Sequence, residues 1–172
     1  MFENIIKNVH NRHPLIHCIT NYVSINDCAN IVLACGGAPI MAEDINEVSQ
    51  ITSICQGLDI NIGMLNDSKL SSMLKAGATA NELGIPVILD PVGAGSSDYR
   101  IKAVQNLMSN VQFGVIRGNV SEIKAIAAKQ GIHNIAAGVY ETMQKNKSAM
   151  GVEAGIADKI TDDNIKEMAD FI

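Results

Sequence analysis

"ELGIPVILDPVGAGSS", residues 82–97, carries the punctuation of a parallel α/β fold. Gly84 falls where the residue just past a helix end belongs, and Pro86 opens the next element. "IPVILD" is a short apolar run of strand character that ends in Asp90. Pro91, Gly93 and Gly95 then turn the chain toward a further helical stretch.

The same alternation recurs on either side. "PLIHCI" (14–19), "APIM" (38–41), "LDINIG" (58–63) and "FGVIRG" (113–118) are apolar β-rich runs, each followed by a polar or glycine-bearing turn and a longer stretch with helical spacing. In "NDSKLSSMLKAGATANELG" (66–84), Leu70, Met73, Leu74 and Leu83 come near one face with small residues between them, which predicts a helix laid on a sheet. "DINE" (44–47) matches a capping box, Gly36 marks another helix end, and "MFENIIKNVHNRH" (1–13) reads as an amphipathic helix. Together these predict an α/β protein with a mainly parallel sheet and helices on its faces. A single domain over 1–172 is expected. Between 130 and 160 the pattern weakens, with a helix expected from about 135 to 148. "TDDNIKEMADFI" (161–172) opens on a cap at Thr161 or Asp162 and stops in mid-element, so the domain is expected to be truncated at its C-terminal side.

Composition narrows the function classes. With 172 residues, 47% of them hydrophobic, the chain can bury a sizeable core. Thirteen Lys and Arg against eighteen Asp and Glu leave a net charge of −5, with three Tyr, three Phe and no Trp. Lacking a basic run and stacking aromatics, the chain reads as no nucleic-acid binder. No signal-like or spanning apolar segment is visible, so a cytoplasmic protein without membrane contact is expected. Cys18, Cys28, Cys35 and Cys55 form no C-x-x-C pair and read as reduced cysteines of the core.

In parallel sheets ligands bind beyond the carboxyl ends of strands, and three such ends are chemically dense. "HCITNYVSIND" (17–27) offers His17, Thr20, Asn21, Ser24, Asn26 and Asp27, either as a polar site for a small ligand or as a capped helix start. His17 itself has no second histidine at ligand spacing and fits a hydrogen-bonded core residue. "ILDPVGAGSS" (88–97) sets the Asp90 carboxylate beside exposed backbone N–H groups, a combination suited to magnesium and phosphate, although no Walker A signature follows. "VIRGNVSEI" (115–123) combines Arg117, Asn119 and Glu122. Asn119 and Glu122 have capping-box spacing, and with Arg117 they also suit a phosphate and metal site; the two roles are compatible at a helix N-terminus.

Taken in order, "PLIHCITNYVSINDCAN", "GGAPIMAEDINEV", "INIGML", "ANELGIPVILDPVGAGSSDYR" and "VIRGNVSEI" resemble the hydroxyethylthiazole kinase family over roughly residues 13 to 127. The resemblance implies a ribokinase-like three-layer sandwich that phosphorylates the hydroxyl of 4-methyl-5-(2-hydroxyethyl)thiazole with ATP and Mg²⁺ in thiamine salvage. By the same resemblance Asn21, Val23 and Met41 contact the thiazole, Met41 through its backbone. Arg117 contacts ATP phosphate with Asn119 beside it, and Asp90 and Glu122 serve Mg²⁺ directly or through water. A homotrimer is implied as well. The family's glycine-rich anion hole has no counterpart in these residues, and no catalytic residue is identified in this chain. Thiazole binding is therefore expected to separate from turnover. The alternatives are a non-catalytic thiazole- or phosphate-binding module and an oligomerising fragment.

Overall fold

The computed structural model describes residues 2–129. The helix expected near 135–148 and the cap at 161–162 lie outside them. The elements alternate as the apolar runs imply: α1 (Phe2–Arg12), β1 (Leu15–Ile19), α2 (Ile25–Ala34), β2 (Ala38–Ile40), α3 (Val48–Ile54), β3 (Gly57–Asn61), α4 (Asp67–Glu82), β4 (Val87–Asp90), α5 (Asp98–Asn110), β5 (Val115–Ile116) and α6 (Val120–Lys129). Gly36 and Gly84 follow the ends of α2 and α4 with φ of 91° and 67°, the left-handed conformation that suits glycine past a helix end.

All five strands pair in parallel, in the order β2-β1-β3-β4-β5. The chain moves one way from β1 to β2 and the other way from β2 through β3, β4 and β5. With right-handed crossovers, this reversal puts α2 on one face and α3 and α4 on the other. The helix-on-sheet layers expected from sequence are thus present, and the reversal creates a switch point where β1 and β3 lie side by side.

The two faces are packed differently. His17 and Ile19 of β1, Leu58 and Ile60 of β3, and Val87 and Leu89 of β4 point to the α3–α4 face and are all buried. On the opposite face Ile88 and Val115, register partners, stay 40% and 53% exposed.

α4 is a helix on the sheet, but its buried residues are Lys69, Ser72, Met73, Ala76, Gly77 and Ala80. Leu83 is exposed at its C-terminal end. Small side chains hold that face because the helix approaches closely: a Cβ on Gly77 would lie 2.5 Å from Val111 Cγ2. The "DINE" capping box does not form. Asp44 Oδ1 accepts from the Asn46 backbone and side-chain N–H groups, making an Asx turn, and α3 begins only at Val48. The cysteines also divide. All four are free, and Cys18 and Cys55 are buried, whereas Cys28 is half-buried and Cys35 is exposed at the end of α2. Burial, with help from Asp59, pushes the Cys18 thiol up to about 12.

Two compact units make up the described chain, one from residues 2–90 and 107–116, the other from 91–106 and 117–129.

Candidate functional site

In the first unit the carboxyl ends of β1, β3 and β4 are joined by side-chain amides. Asn21, two residues past β1, donates from Nδ2 to Asn61 Oδ1 at 3.1 Å. Asn61, the last residue of β3, donates from Nδ2 to Asp90 Oδ2 at 3.0 Å. Register explains the second bond, since Asn61 and Asp90 are paired neighbours at the ends of adjacent strands. Ser24 donates both its backbone N–H (3.0 Å) and its hydroxyl (3.1 Å) to Asn21 Oδ1. Ser24, directly before α2, makes no side-chain cap, but Asn21 Oδ1 accepts the Ser24 backbone N–H three residues on, as a capping asparagine does, so the capped start and the polar site share this residue. Asn26 and Asp27 are exposed, and Thr20 is buried.

His17 is a core residue. Its Nε2 lies 2.8 Å from the Ala42 carbonyl, which can only accept, so Nε2 carries the proton and Nδ1 accepts from the Thr52 hydroxyl at 2.9 Å. Burial lowers its pKa below the ordinary value, outweighing the Ala42 bond and the charge of Glu47.

Beside this network stands a buried cation the sequence did not flag. Lys69, in the first turn of α4 and 4% exposed, donates to the Thr20 carbonyl and pairs with Glu43 Oε2 at 2.8 Å. Its ammonium also sits 4.7 Å from the centre of the Tyr22 ring, and the Tyr22 hydroxyl donates to Glu43. A cation in the first turn of a helix opposes the helix dipole, so these partners keep it there. Burial pushes the Glu43 carboxyl up, but the bonds from Lys69 and Tyr22 and the ammonium charge together bring it below its usual value. Lys69 thus ties the segments after β1, β2 and β3 together. Met41 follows β2 directly and is half-buried, while Val23, in the loop before α2, is 88% exposed.

The second unit holds Arg117, Asn119 and Glu122. Asn119 caps α6 through a reciprocal box: its Oδ1 accepts from the Glu122 backbone N–H and Glu122 Oε2 accepts from the Asn119 backbone N–H, both at 2.9 Å. Glu122 Oε1 takes a third backbone donor, Gly93, at 2.9 Å, so the carboxylate also holds the 91–97 turn. Arg100 Nη1 braces that turn by donating to the Val92 carbonyl at 2.9 Å. Arg117 is exposed on the loop before α6.

Among the described residues no group of three or more His, Cys, Asp or Glu is placed to hold a metal. Magnesium does not need one, since it keeps several waters and uses one or two carboxylates plus substrate phosphates. Asp90, an oxygen donor at a strand end, fits that mode. Glu122, with both oxygens on backbone N–H groups, fits a contact through water.

A five-stranded parallel sheet with helices on its faces and a polar network at its strand ends defines an α/β protein, and the fold is ribokinase-like. It is similar to the solved hydroxyethylthiazole kinase protein from Pyrococcus horikoshii, with a TM-score of 0.72 and 38% identity, covering 79% of this chain and 53% of that one. The family model of the hydroxyethylthiazole kinase family matches residues 6–162, and the chain belongs to that family. Hydroxyethylthiazole kinase of Clostridium acetobutylicum is 51% identical over 171 residues, 99% of this chain and 57% of that protein. Its counterpart in Methanobrevibacter smithii is 44% identical over 168 residues, 98% of this chain and 55% of that protein. The chain spans a little over half the length of these relatives.

Proposed function

We propose that this chain carries the thiazole side of a hydroxyethylthiazole kinase, in which ATP phosphorylates the hydroxyl of 4-methyl-5-(2-hydroxyethyl)thiazole. The observation that carries the reading is the network Asn21–Asn61–Asp90 across the ends of three parallel strands, in a chain of that family. Asn21 and Val23 hold the thiazole together with the backbone of Met41. Arg117 and Asn119 serve the ATP phosphates, where the first turn of α6 favours an anion. Asp90 in the first unit is a carboxylate that would serve Mg²⁺, and Glu122 in the second is one that would serve it through water. Bound there, Mg²⁺ supplies charge neutralisation on the phosphates. The protein's share is to orient the alcohol and exclude water around it. A cytoplasmic location and a homo-oligomer, a trimer by resemblance, belong to the same reading. In support of the oligomer, α2 has no buried residue, yet Ile31 and Leu33 on it are 61% and 57% exposed.

A second reading, a thiazole-binding module without turnover, is favoured by one observation. The carboxylates after β2 and at the end of β4 are committed, Glu43 to Lys69 and Tyr22, and Asp90 to Asn61 and the proposed metal. Neither is well placed to take the alcohol's proton.

Calorimetric titration with the thiazole alcohol, followed by an ADP-release assay with Mg-ATP, separates the readings. Saturable binding that Asn21→Ala weakens, with ADP release that Asp90→Asn abolishes, is the expected pair for the kinase. Binding without release selects the module. Neither binding nor release overturns both.

A further inference from the structure

We propose that Asn61 is a positioning residue that fixes the side chains of Asn21 and Asp90 through one directional relay, so that a single amide organises the thiazole contact and the metal carboxylate. The inference rests on the functional reading above for the roles of Asn21 and Asp90, but not for the relay itself.

The direction of the relay is set by backbone donors. An amide side chain can be turned end for end, and its partners decide which end is oxygen. The Gly63 backbone N–H lies 2.8 Å from one end of the Asn61 amide, and a backbone N–H can only donate, so that end is Oδ1. Its Nδ2 therefore faces Asp90 Oδ2 as a donor. In the same way the Ser24 backbone N–H fixes Asn21 Oδ1, which turns Asn21 Nδ2 toward Asn61 Oδ1. Asn61 accepts twice on one side and donates on the other, which no carboxylate and no aliphatic residue of its size can do. It is 8% exposed, so a lost partner is not readily replaced by water.

Gly63 closes over the relay. A Cβ there would lie 2.9 Å from Asn61 Oδ1, 3.0 Å from Asn21 Nδ2 and 3.1 Å from Asn21 Cβ. The side chains it would meet are held by hydrogen bonds and cannot swing aside without breaking them. The close fit at Gly63 is thus a further sign that the amide positions are specified.

The test uses the 172-residue chain, with NMR of the side-chain amides in the absence of ligand and calorimetry with 4-methyl-5-(2-hydroxyethyl)thiazole. In Asn61→Ser the Asn21 side-chain amide should lose its slow exchange, thiazole affinity should fall about tenfold, and thermal stability should fall as well, because the buried partners of Asn61 are left unpaired. Gly63→Ala keeps every donor and acceptor and should displace both amide resonances with a similar loss of affinity; it serves if Asn61→Ser does not fold. A wild-type chain that binds no thiazole sinks the functional reading alone. An Asn21 amide that keeps wild-type exchange and shift in both variants overturns the relay whatever the ligand does. Wild-type affinity in both overturns the positioning role.

Discussion

Glu122 shows how one carboxylate can answer two questions at once. Its spacing from Asn119 signals a capping box, which forms, but the bond from Gly93 uses the second oxygen. A glutamine there could accept only one of the two backbone N–H groups and would turn an NH₂ toward the other. Glu122→Gln is therefore expected to destabilise the protein by about 1–3 kcal/mol, the range for a buried donor left without its partner. Hydrogen exchange should show the loss at the Gly93 or Asn119 amide, and unchanged protection at both would contradict the two-oxygen role. His17 makes a pH prediction. Its folded pKa lies below 6.5, so between that lowered value and 6.5 the unfolded chain binds more protons than the folded one. Stability from this residue is fully present above about pH 6.5 and falls as the solution is acidified through that window. The difference in stability between wild type and His17→Gln, followed by urea denaturation from pH 7.5 to 5, should shrink toward acid. A difference that stays level would mean that His17 is not held neutral.

At the scale of elements, α4 carries two features that helical spacing alone does not show. Gly77 lets it approach Val111, so Gly77→Ala trades a helix-propensity gain of about 1 kcal/mol against an overpacking loss of about 1–3 kcal/mol. A net loss is expected, and adding Val111→Ala should recover part of it. Additive losses in the double mutant would show that the two residues do not press on each other. Lys69 predicts an asymmetry. Glu43 is 38% exposed and can return to water when its partner is removed, whereas the Lys69 ammonium, 4% exposed, cannot. Glu43→Ala should therefore cost more than Lys69→Met, approaching the roughly 3–5 kcal/mol typical of an orphaned buried charge. Equal losses, measured by urea denaturation, would place the ammonium in contact with solvent.

For the whole molecule, the exposed apolar residues of α2 are the feature that isolated packing leaves unexplained. Ile31→Lys with Leu33→Lys is expected to convert an oligomer to monomer in sedimentation, with the far-UV spectrum unchanged. A wild-type chain that sediments as a monomer at micromolar concentration would remove the basis for that expectation. Much of the fold was legible in the residues themselves. The five apolar runs became the five strands, and Gly36 and Gly84 marked two helix ends, because strand burial and left-handed turns each leave a local chemical signature. The strand ends were legible as places to look, and Asn21 and Asp90 are joined there. Asn61 and Lys69 were not legible. An asparagine closing a strand and a lysine in a helix look like solvated polar residues until the register puts one beside Asp90 and the helix packing buries the other. Leu83 misled for a different reason, since it is the cap residue just past Glu82, where α4 and the face that helical spacing predicts have ended. The sequence by itself determined the alternation of elements, the parallel class and the family, since each rests on short-range pattern. Only the tertiary structure decided strand order, which residues the amide relay joins, the partners of Lys69 and the Gly93 partner of Glu122. Those depend on contacts between residues tens of positions apart, up to 49 between Lys69 and Thr20, which hydrogen-bond geometry selects and local sequence does not encode.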